Sequence, residues 1–384
     1  MKRFYLLKDE NRIAWFILSM IALASIAIIG IGSDNYMYLY GYKTFLSYPH
    51  ENMFLFQWYL TYFICDILGI HSIFYSRIAG CILTIGIWIT SYLILKNVVN
   101  KKVLGLGLFL STIGLYGTAV DINYNNITII FMLIGIFFIV KSVRKYYLIT
   151  IAGLVLGVSI FLRLPNIIFF IFGLSPLLLY LYSSNYTKKN ILLQISLFYI
   201  GYIIGVIGIV FLIKKCGHYP IFINMINMAL NSPVDGGVQD HSFIPLIFHA
   251  LKCYITPLLI FVILAIFIKR LSNVQIYKNK WFDKILFCLM LIAFLIISKS
   301  ACMLYWMLAT PIILYVLVKK RKTLSEMEFY ISCLVLLMMY LFPIGSASIM
   351  SFSGPNVFWL SLHLALHFIS KYDYVWNISL NISY

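Results

Sequence analysis

Hydrophobic residues recur along this chain in long runs that short polar stretches separate. Windows such as 13–31 and 191–213 hold enough apolar residues to cross about 30 Å of hydrocarbon as helices. The strands of a membrane barrel would alternate apolar and polar residues, and the runs show no such alternation. The pattern therefore predicts an all-α, polytopic helical membrane protein.

Taken in order, the apolar runs predict about 12 transmembrane helices in a single multi-pass domain that covers residues 1–384. The predicted spans lie near 13–32, 78–95, 103–119, 127–140, 147–162, 167–182, 191–213, 244–268, 285–298, 302–318, 328–345 and 356–370. An even number of spans places both termini on one side. The two longest connections on the other side are the predicted outer loops 33–77 and 214–243.

Segment 53–70, "MFLFQWYLTYFICDILGI", is apolar enough to be a further span. If it crossed the membrane, every later connection would change sides, and the lysines of 101–102 and 319–322 would face outward. Such an arrangement opposes the positive-inside rule. Polar residues also interrupt the run. We therefore predict an interfacial helix at 53–70, which makes the first outer loop partly helical.

The composition agrees with a membrane protein and adds an orientation. Charged residues make up 11% of the chain, and the mean hydropathy is +0.96, whereas soluble domains carry about 25% charged residues. Most of the 29 Lys and Arg fall in connections on the side of the N-terminus, which predicts cytoplasmic termini. The net charge of +17 belongs to these connections and not to a basic domain, so it does not indicate nucleic-acid binding. The abundance of Ile, Lys, Asn and Tyr is typical of AT-rich bacteria and suggests an inner (plasma) membrane.

Residues that often bind metals occur without convincing metal-site spacing. The seven cysteines are scattered and form no CxxC pair. His363 and His367 lie four residues apart on one helical face, but no third ligand stands near them in the sequence, so we expect packed, hydrogen-bonded histidines. Glu326 and Glu328 lie near lysines and are interpreted as solvated charges.

Several carboxylates lie at or beyond the ends of spans on the predicted outer side. They are Asp34, Glu51, Asp66, Asp121, Asp235 and Asp240. An ionisable group at the edge of the hydrocarbon is costly unless it faces a cavity or a partner, so each is a candidate site residue.

Four polar stretches occupy ends of spans on this predicted outer side. They are Ser33-Asp34-Asn35, "DINYNNIT" at 121–128, "FLRLPN" at 161–166 and "PIGSASIMSFSGPN" at 343–356. If they lie together, they line one pocket with a carboxylate, amides, phenols and a guanidinium.

These stretches resemble those of the multi-spanning glycosyltransferases of the GT-C fold. Asp34 after the first span and segment 48–80 are similar to the dolichyl-phosphate-mannose and aminoarabinose transferase relatives. The matching positions in 48–80 are Pro49, His50, Leu68, Gly69 and Arg77. The "YNN" at 124–126 and "RLPN" at 163–166 are similar to loops of bacterial polysaccharide glycosyltransferases. The chain departs from the family at Asn35, where an acid is common, so a second acid would be Glu51 or Asp121, or is absent.

The resemblance implies a polyprenyl-phosphate sugar as donor and a cell-surface glycan or lipid as acceptor. It implies that Asp34 is the base that deprotonates the acceptor hydroxyl and that Arg163 binds the phosphate, because a guanidinium binds phosphate with two parallel hydrogen bonds. Arg77 and Lys299 are second choices for the phosphate. The remaining candidates near substrate are His50, Glu51, Asp121, Tyr124, Asn125 and Asn126.

The tyrosine and the two amides are candidates for binding sugar hydroxyls. A divalent ion held by Asp34 and Asp121 stays open, and no organic cofactor is expected. Simpler roles also stay open: a helix cap for Asp34, a headgroup contact for Arg163, a tight turn for 124–126, and an ion pair with Asp66 or Glu51 for Arg77.

Two rival functions also stay open. A lipid-linked oligosaccharide flippase predicts two similar halves and broken helices at midplane, and loop 33–77 has no counterpart in the second half of the chain. A polysaccharide polymerase predicts a late outer loop rich in arginine, and 214–243 contains none. The membrane glycosyltransferase is the favoured prediction.

Overall fold

The computed structural model describes residues 11–29, 60, 63, 69, 73–115, 124–183, 186–231, 301–342, 344 and 354–372. Within these residues all regular secondary structure is helical, as the sequence predicts. The α-helices are α1 (Asn11–Ile29), α2 (Ile73–Leu95), α3 (Lys101–Ile113), α4 (Tyr124–Ser142), α5 (Leu148–Ser159), α6 (Pro176–Tyr182), α7 (Lys188–Lys215), α8 (Tyr219–Asn231), α9 (Ala301–Lys319), α10 (Glu326–Leu341) and α11 (Gly354–Tyr372). The 3-10 helices are Leu164–Leu174 and Arg321–Thr323.

Four helical segments of the described chain are long and apolar enough to cross a membrane. They are Arg77–Leu95, Asn125–Ser142, Leu164–Tyr182 and Lys188–Lys215. The prediction of a helical protein with membrane-spanning segments is therefore confirmed at this coarse level. Predicted spans 244–268 and 285–298 lie outside the described residues, as does most of the interfacial segment 53–70.

The predicted span 167–182 is not one α-helix. It divides into the 3-10 helix Leu164–Leu174 and the short helix α6. Proline explains both starts, because it lacks a backbone N–H and is tolerated only in the first turn of a helix. Pro165 lies in the first turn of the 3-10 helix, and Pro176 is the first residue of α6.

The described part of the predicted outer loop 214–243 is largely helical. Helix α7 continues to Lys215, and α8 follows after a three-residue turn. In that turn Gly217 has φ +77, and the N–H of His218 donates to the carbonyl of Ile213. This Schellman ending needs a residue that tolerates positive φ, which glycine supplies.

Helices α5 and α7 make the closest helix contact in the described chain. Gly153 and Gly157 of α5 lie against the backbone of α7, and a Cβ at either would collide with the carbonyl oxygen of Phe198 or Tyr202. Gly201 and Gly205 of α7 lie in the same way against α5. Both pairs have the small-xxx-small spacing that lets helix backbones approach closely in membranes. The pairings run in the same direction, so the two helices are parallel.

Helix α11 lies at the centre of the fold. It packs against α2, α3, α4, α9 and α10. Its side chains Trp359, Leu360, Leu364 and Phe368 are buried, and they form one core with Tyr330, Leu334 and Met338 of α10. A helix that other helices surround is apolar on most of its sides, and this explains why the sequence of α11 predicts a membrane span.

The helix connections gather at two opposite ends of the bundle. At one end, the N–H of Asn100 donates to Nδ1 of His367, and the Tyr182 hydroxyl donates to the carbonyl of Arg321. We call this the basic end, because it carries Lys96, Lys101, Lys141, Arg144, Lys145, Lys188, Lys189, Lys319, Lys320, Arg321, Lys322 and Lys371. The opposite end contains described residues of three of the four polar stretches that the sequence singled out.

Candidate functional site at the polar mouth

Three of the four polar stretches meet at the end of the bundle opposite the basic end. Asn166 Nδ2 donates to Thr128 Oγ1 at 3.3 Å, which joins stretch 161–166 to 121–128. The guanidinium of Arg163 donates to the carbonyls of Phe342 and Ile344, which joins 161–166 to the start of 343–356. We call residues 125–128, 159–166, 342 and 344 the polar mouth. The fourth stretch, which contains Asp34, lies outside the described residues.

Asn166 holds the turn between α5 and the 3-10 helix. Its side chain is buried, with 2% exposure, and Nδ2 also donates to the carbonyl of Ser159 at 2.8 Å. Ser159 is the last residue of α5, and its carbonyl also accepts from the backbone N–H of Leu162 at 3.1 Å. One amide side chain therefore adds a second donor at the end of α5 and contacts the first turns of α4.

Arg163 lies in the same turn with extended backbone, φ −149 and ψ 124. Its side chain is only 4% exposed. Nη1 donates to the carbonyl of Phe342 and Nη2 to that of Ile344, each at 3.3 Å, and the guanidinium lies 5.4 Å from the centre of the Phe342 ring. The guanidinium that the sequence proposes as a phosphate ligand thus donates from both terminal nitrogens to backbone carbonyls.

These carbonyls lie where α10 ends. Pro343 stands between Phe342 and Ile344, and proline cannot continue the hydrogen-bond ladder of the helix. The carboxyl end of a helix also carries partial negative charge, which favours a cation. Arg163 therefore supplies both the donors and the charge that this helix end requires.

The mouth lies near the end of the long helix α7 and not at its middle. The glycine contacts pair each residue of α5 with a residue of α7 that lies about 48 positions later in the chain. On this spacing, Arg163 lies at the same height in the bundle as about residue 211 of α7. Helix α7 ends at Lys215, so the guanidinium lies about 6 Å before that end at 1.5 Å per residue. This depth corresponds to the border between hydrocarbon and headgroups if α7 crosses the membrane.

Helix α8 lies beside the mouth. The ring centres of Phe222 in α8 and Phe161 are 5.4 Å apart. Ile221 and Ile223 are half-buried, whereas Tyr219 and Asn224 are exposed. In the turn before α8, partial burial lowers the pKa of His218 from its usual value.

The remaining site predictions divide between described and undescribed residues. Asn125 and Asn126 are half-buried in the first turn of α4, which Tyr124 begins. Arg77 is half-buried near the start of α2, the end of that helix away from Asn100. The predicted site residues outside the described chain are Asp34, His50, Glu51, Asp121 and Lys299.

The structure assigns no metal site within the described ranges. No three His, Cys, Asp or Glu side chains of that part of the chain approach one another closely enough to share an ion. Asp34 and Asp121, for which the sequence leaves a shared divalent ion open, lie outside those ranges.

A second polar cluster, at the basic end, was not predicted. Glu328 was interpreted as a solvated charge, but it is 7% exposed and accepts hydrogen bonds from Lys371 and from the N–H of Ser325. His367 is packed and hydrogen-bonded, as expected, and its partner is Glu328. The missed signal was the capping box Ser325-x-x-Glu328, which marks the start of a helix.

Comparison with known proteins identifies no relative from which a function could be transferred, so the function has to be inferred from the residues described above. No family model, curated protein or solved structure matches the chain significantly.

Proposed function

We propose that this protein is a membrane glycosyltransferase that moves a sugar from a polyprenyl-phosphate donor to a glycan or lipid acceptor. The observation that carries the proposal is the convergence of stretches 121–128, 161–166 and 343–356 on one mouth through hydrogen bonds of Asn166 and Arg163. The resemblance of these stretches to GT-C enzymes supplies the reaction.

The depth of the mouth suits an amphipathic donor. A polyprenyl tail stays in the bilayer, and its phosphate and sugar lie at the interface, which is the level of the mouth. Asn125 and Asn126 offer amide donors and acceptors, which are the groups that bind sugar hydroxyls. Buried Arg163 gives this region a fixed positive charge that favours an anionic lipid.

The proposed reaction uses one base and one cation. Asp34 takes the proton from the acceptor hydroxyl, whose oxygen attacks the anomeric carbon of the donor. The bond between that carbon and the phosphate oxygen breaks, and polyprenyl phosphate leaves with the electron pair. Arg77 or Lys299 stabilises the departing phosphate, and Asp121 assists, alone or through a divalent ion.

The same proposal includes the finer topology. It has about 12 spans, a GT-C fold, both termini in the cytoplasm, and the mouth on the outer face of an inner membrane. The gathering of basic residues at the opposite end of the bundle supports this orientation, because positive connections stay in the cytoplasm.

One observation bears on the flippase alternative. Transporters use helices that break near midplane, and segment 148–182 is interrupted at 160–163 and again at Ser175. The first interruption lies about 6 Å from the end of α7. The second lies about 22 Å further along the 3-10 helix, at 2.0 Å per residue, which is closer to the middle of the 28-residue helix α7 than to its basic end; Gly173, beside this break, lies against the side chains of Phe198 and Tyr199. The first break lies towards the mouth and the second nearer mid-bundle, so the breaks do not separate the two functions and the flippase stays the alternative that the following experiment tests.

Purified protein in lipid nanodiscs, incubated with a panel of polyprenyl-phosphate sugars and acceptor glycans, tests the proposal. A transferase releases free polyprenyl phosphate and extends an acceptor. A flippase reconstituted in liposomes moves the same lipids across the bilayer and leaves the sugar–phosphate bond intact. Transbilayer movement without cleavage would overturn the proposal.

A further inference from the structure

We infer that Arg163 is a positioning residue, which fixes the end of α10 at the polar mouth, and that it does not bind the donor phosphate. The inference rests on the proposed function for its effect on turnover. Its structural part, the anchoring of α10, stands on contacts of described residues alone.

The geometry of the guanidinium carries the first step. A phosphate binds arginine best through two parallel N–H groups, such as those of the two terminal nitrogens. In this chain the two terminal nitrogens donate to the carbonyls of Phe342 and Ile344 at 3.3 Å each. A phosphate on the same face would have to displace both carbonyls and leave them buried without these donors, which is unfavourable.

The second step concerns the place of the two acceptors. They flank Pro343, which has no N–H and so removes one hydrogen bond from the ladder at the end of α10. The N–H groups of Phe342 and Ile344 still bond back to Met338 and Leu341. Arg163 therefore closes the last turn of α10 from outside and fixes the direction in which the chain leaves it.

The third step excludes a headgroup contact. A side chain that reaches towards lipid headgroups keeps its charge in water, whereas Arg163 is 4% exposed and lies over the Phe342 ring. A lysine cannot replace this arrangement, because its ammonium is a point charge and lacks the planar fork that spans two carbonyls.

The two roles predict different kinetics for the proposed reaction. A phosphate ligand contacts the donor in the ground state, so its loss raises KM for the donor. A positioning residue keeps the mouth in its productive geometry, so its loss lowers kcat and changes KM little. Arg163→Lys separates the roles, since lysine keeps the charge and loses the two-carbonyl contact.

The experiment combines hydrogen–deuterium exchange with kinetics on the full chain in nanodiscs. We expect Arg163→Lys and Arg163→Met each to speed amide exchange at 338–344 by about tenfold, because both lose the anchored turn. Exchange at 327–334, in the first half of α10, stays unchanged and serves as the internal control. For the proposed reaction, kcat falls at least tenfold in both variants and KM for the donor stays within about twofold.

Two results overturn the inference. One is wild-type exchange at 338–344 in Arg163→Lys. The other is a raised KM with unchanged kcat in that variant, which identifies a phosphate ligand. If Arg163→Met does not fold, Arg163→Lys alone decides. If the wild-type protein releases no polyprenyl phosphate from any donor, the proposed function fails, and the exchange measurement still tests the anchoring of α10.

Discussion

Glu328 Oε1 lies 3.2 Å from Nε2 of His367, and the same carboxylate oxygen accepts a hydrogen bond from Lys371 at 2.6 Å. The other ring nitrogen of His367, Nδ1, accepts from the backbone N–H of Asn100. The two ring nitrogens of His367 thus connect the backbone of the turn at Asn100 to the Glu328 carboxylate. The cluster joins α10, α11 and the turn between α2 and α3.

Replacement of Glu328 by alanine tests the importance of this cluster. The change removes the capping-box partner of Ser325 and leaves His367 and Lys371 without their shared acceptor. We expect a loss of about 2–4 kcal/mol in the free energy of unfolding, measured by denaturation in detergent. Glu326→Ala, which removes a hydrogen bond from Tyr186, is the control and costs about 1 kcal/mol. Equal losses would show that the cluster adds nothing.

The close contact of α5 with α7 predicts that alanine substitutions at two glycines of α7 differ strongly in their effect on stability. A Cβ on Gly201 collides with the carbonyl oxygen of Thr150, whereas a Cβ on Gly208 meets no atom within 4 Å. Gly201→Ala should therefore destabilise the protein by about 2 kcal/mol or more, because backbone must move. Gly208→Ala should be neutral or stabilising by up to about 1 kcal/mol, because alanine favours helix. Thermal unfolding of both variants decides, and a similar melting temperature for the two would contradict the packing described.

The contact of Asn166 with Thr128 predicts an energetic coupling across the mouth. Asn166→Ala removes one donor from the Ser159 carbonyl, which still accepts from the N–H of Leu162, and the donor to the Thr128 hydroxyl, and we expect a cost of about 1 kcal/mol. Thr128→Val removes one acceptor and costs less. A double-mutant cycle in unfolding free energy should give a coupling of at least about 0.5 kcal/mol. Additive effects would place the two side chains apart.

Much of the helical architecture was predictable because an apolar run of sufficient length has few alternatives in a membrane. Helices α2, α4 and α7 coincide with such runs. The 3-10 helix Leu164–Leu174 was not predicted, because a continuous apolar run does not distinguish a 3-10 helix from an α-helix. Pro165 and Pro176 were the available signals for its boundaries.

The contacts of the site residues were harder to predict from the sequence. Arg163 was recognised as a candidate, but its acceptors lie 179 and 181 residues away, and residue type alone does not reveal a backbone carbonyl as partner. The burial of Glu328 was hidden by the lysines near it in the sequence, and its partner His367 follows 39 residues later. Tertiary packing decides such pairings.

The central claim is that the mouth side of this bundle transfers a sugar from a lipid phosphate with Asp34 as base. The most direct measurement is the rate of polyprenyl phosphate release by purified wild-type protein and by Asp34→Asn, with equal thermal stability verified for both. Asp373→Asn, at an acid predicted on the cytoplasmic side, is the matched control. The account predicts release by the wild type and the control, and a loss of at least about 100-fold in Asp34→Asn, as expected for removal of a general base. Undiminished release by Asp34→Asn would contradict it.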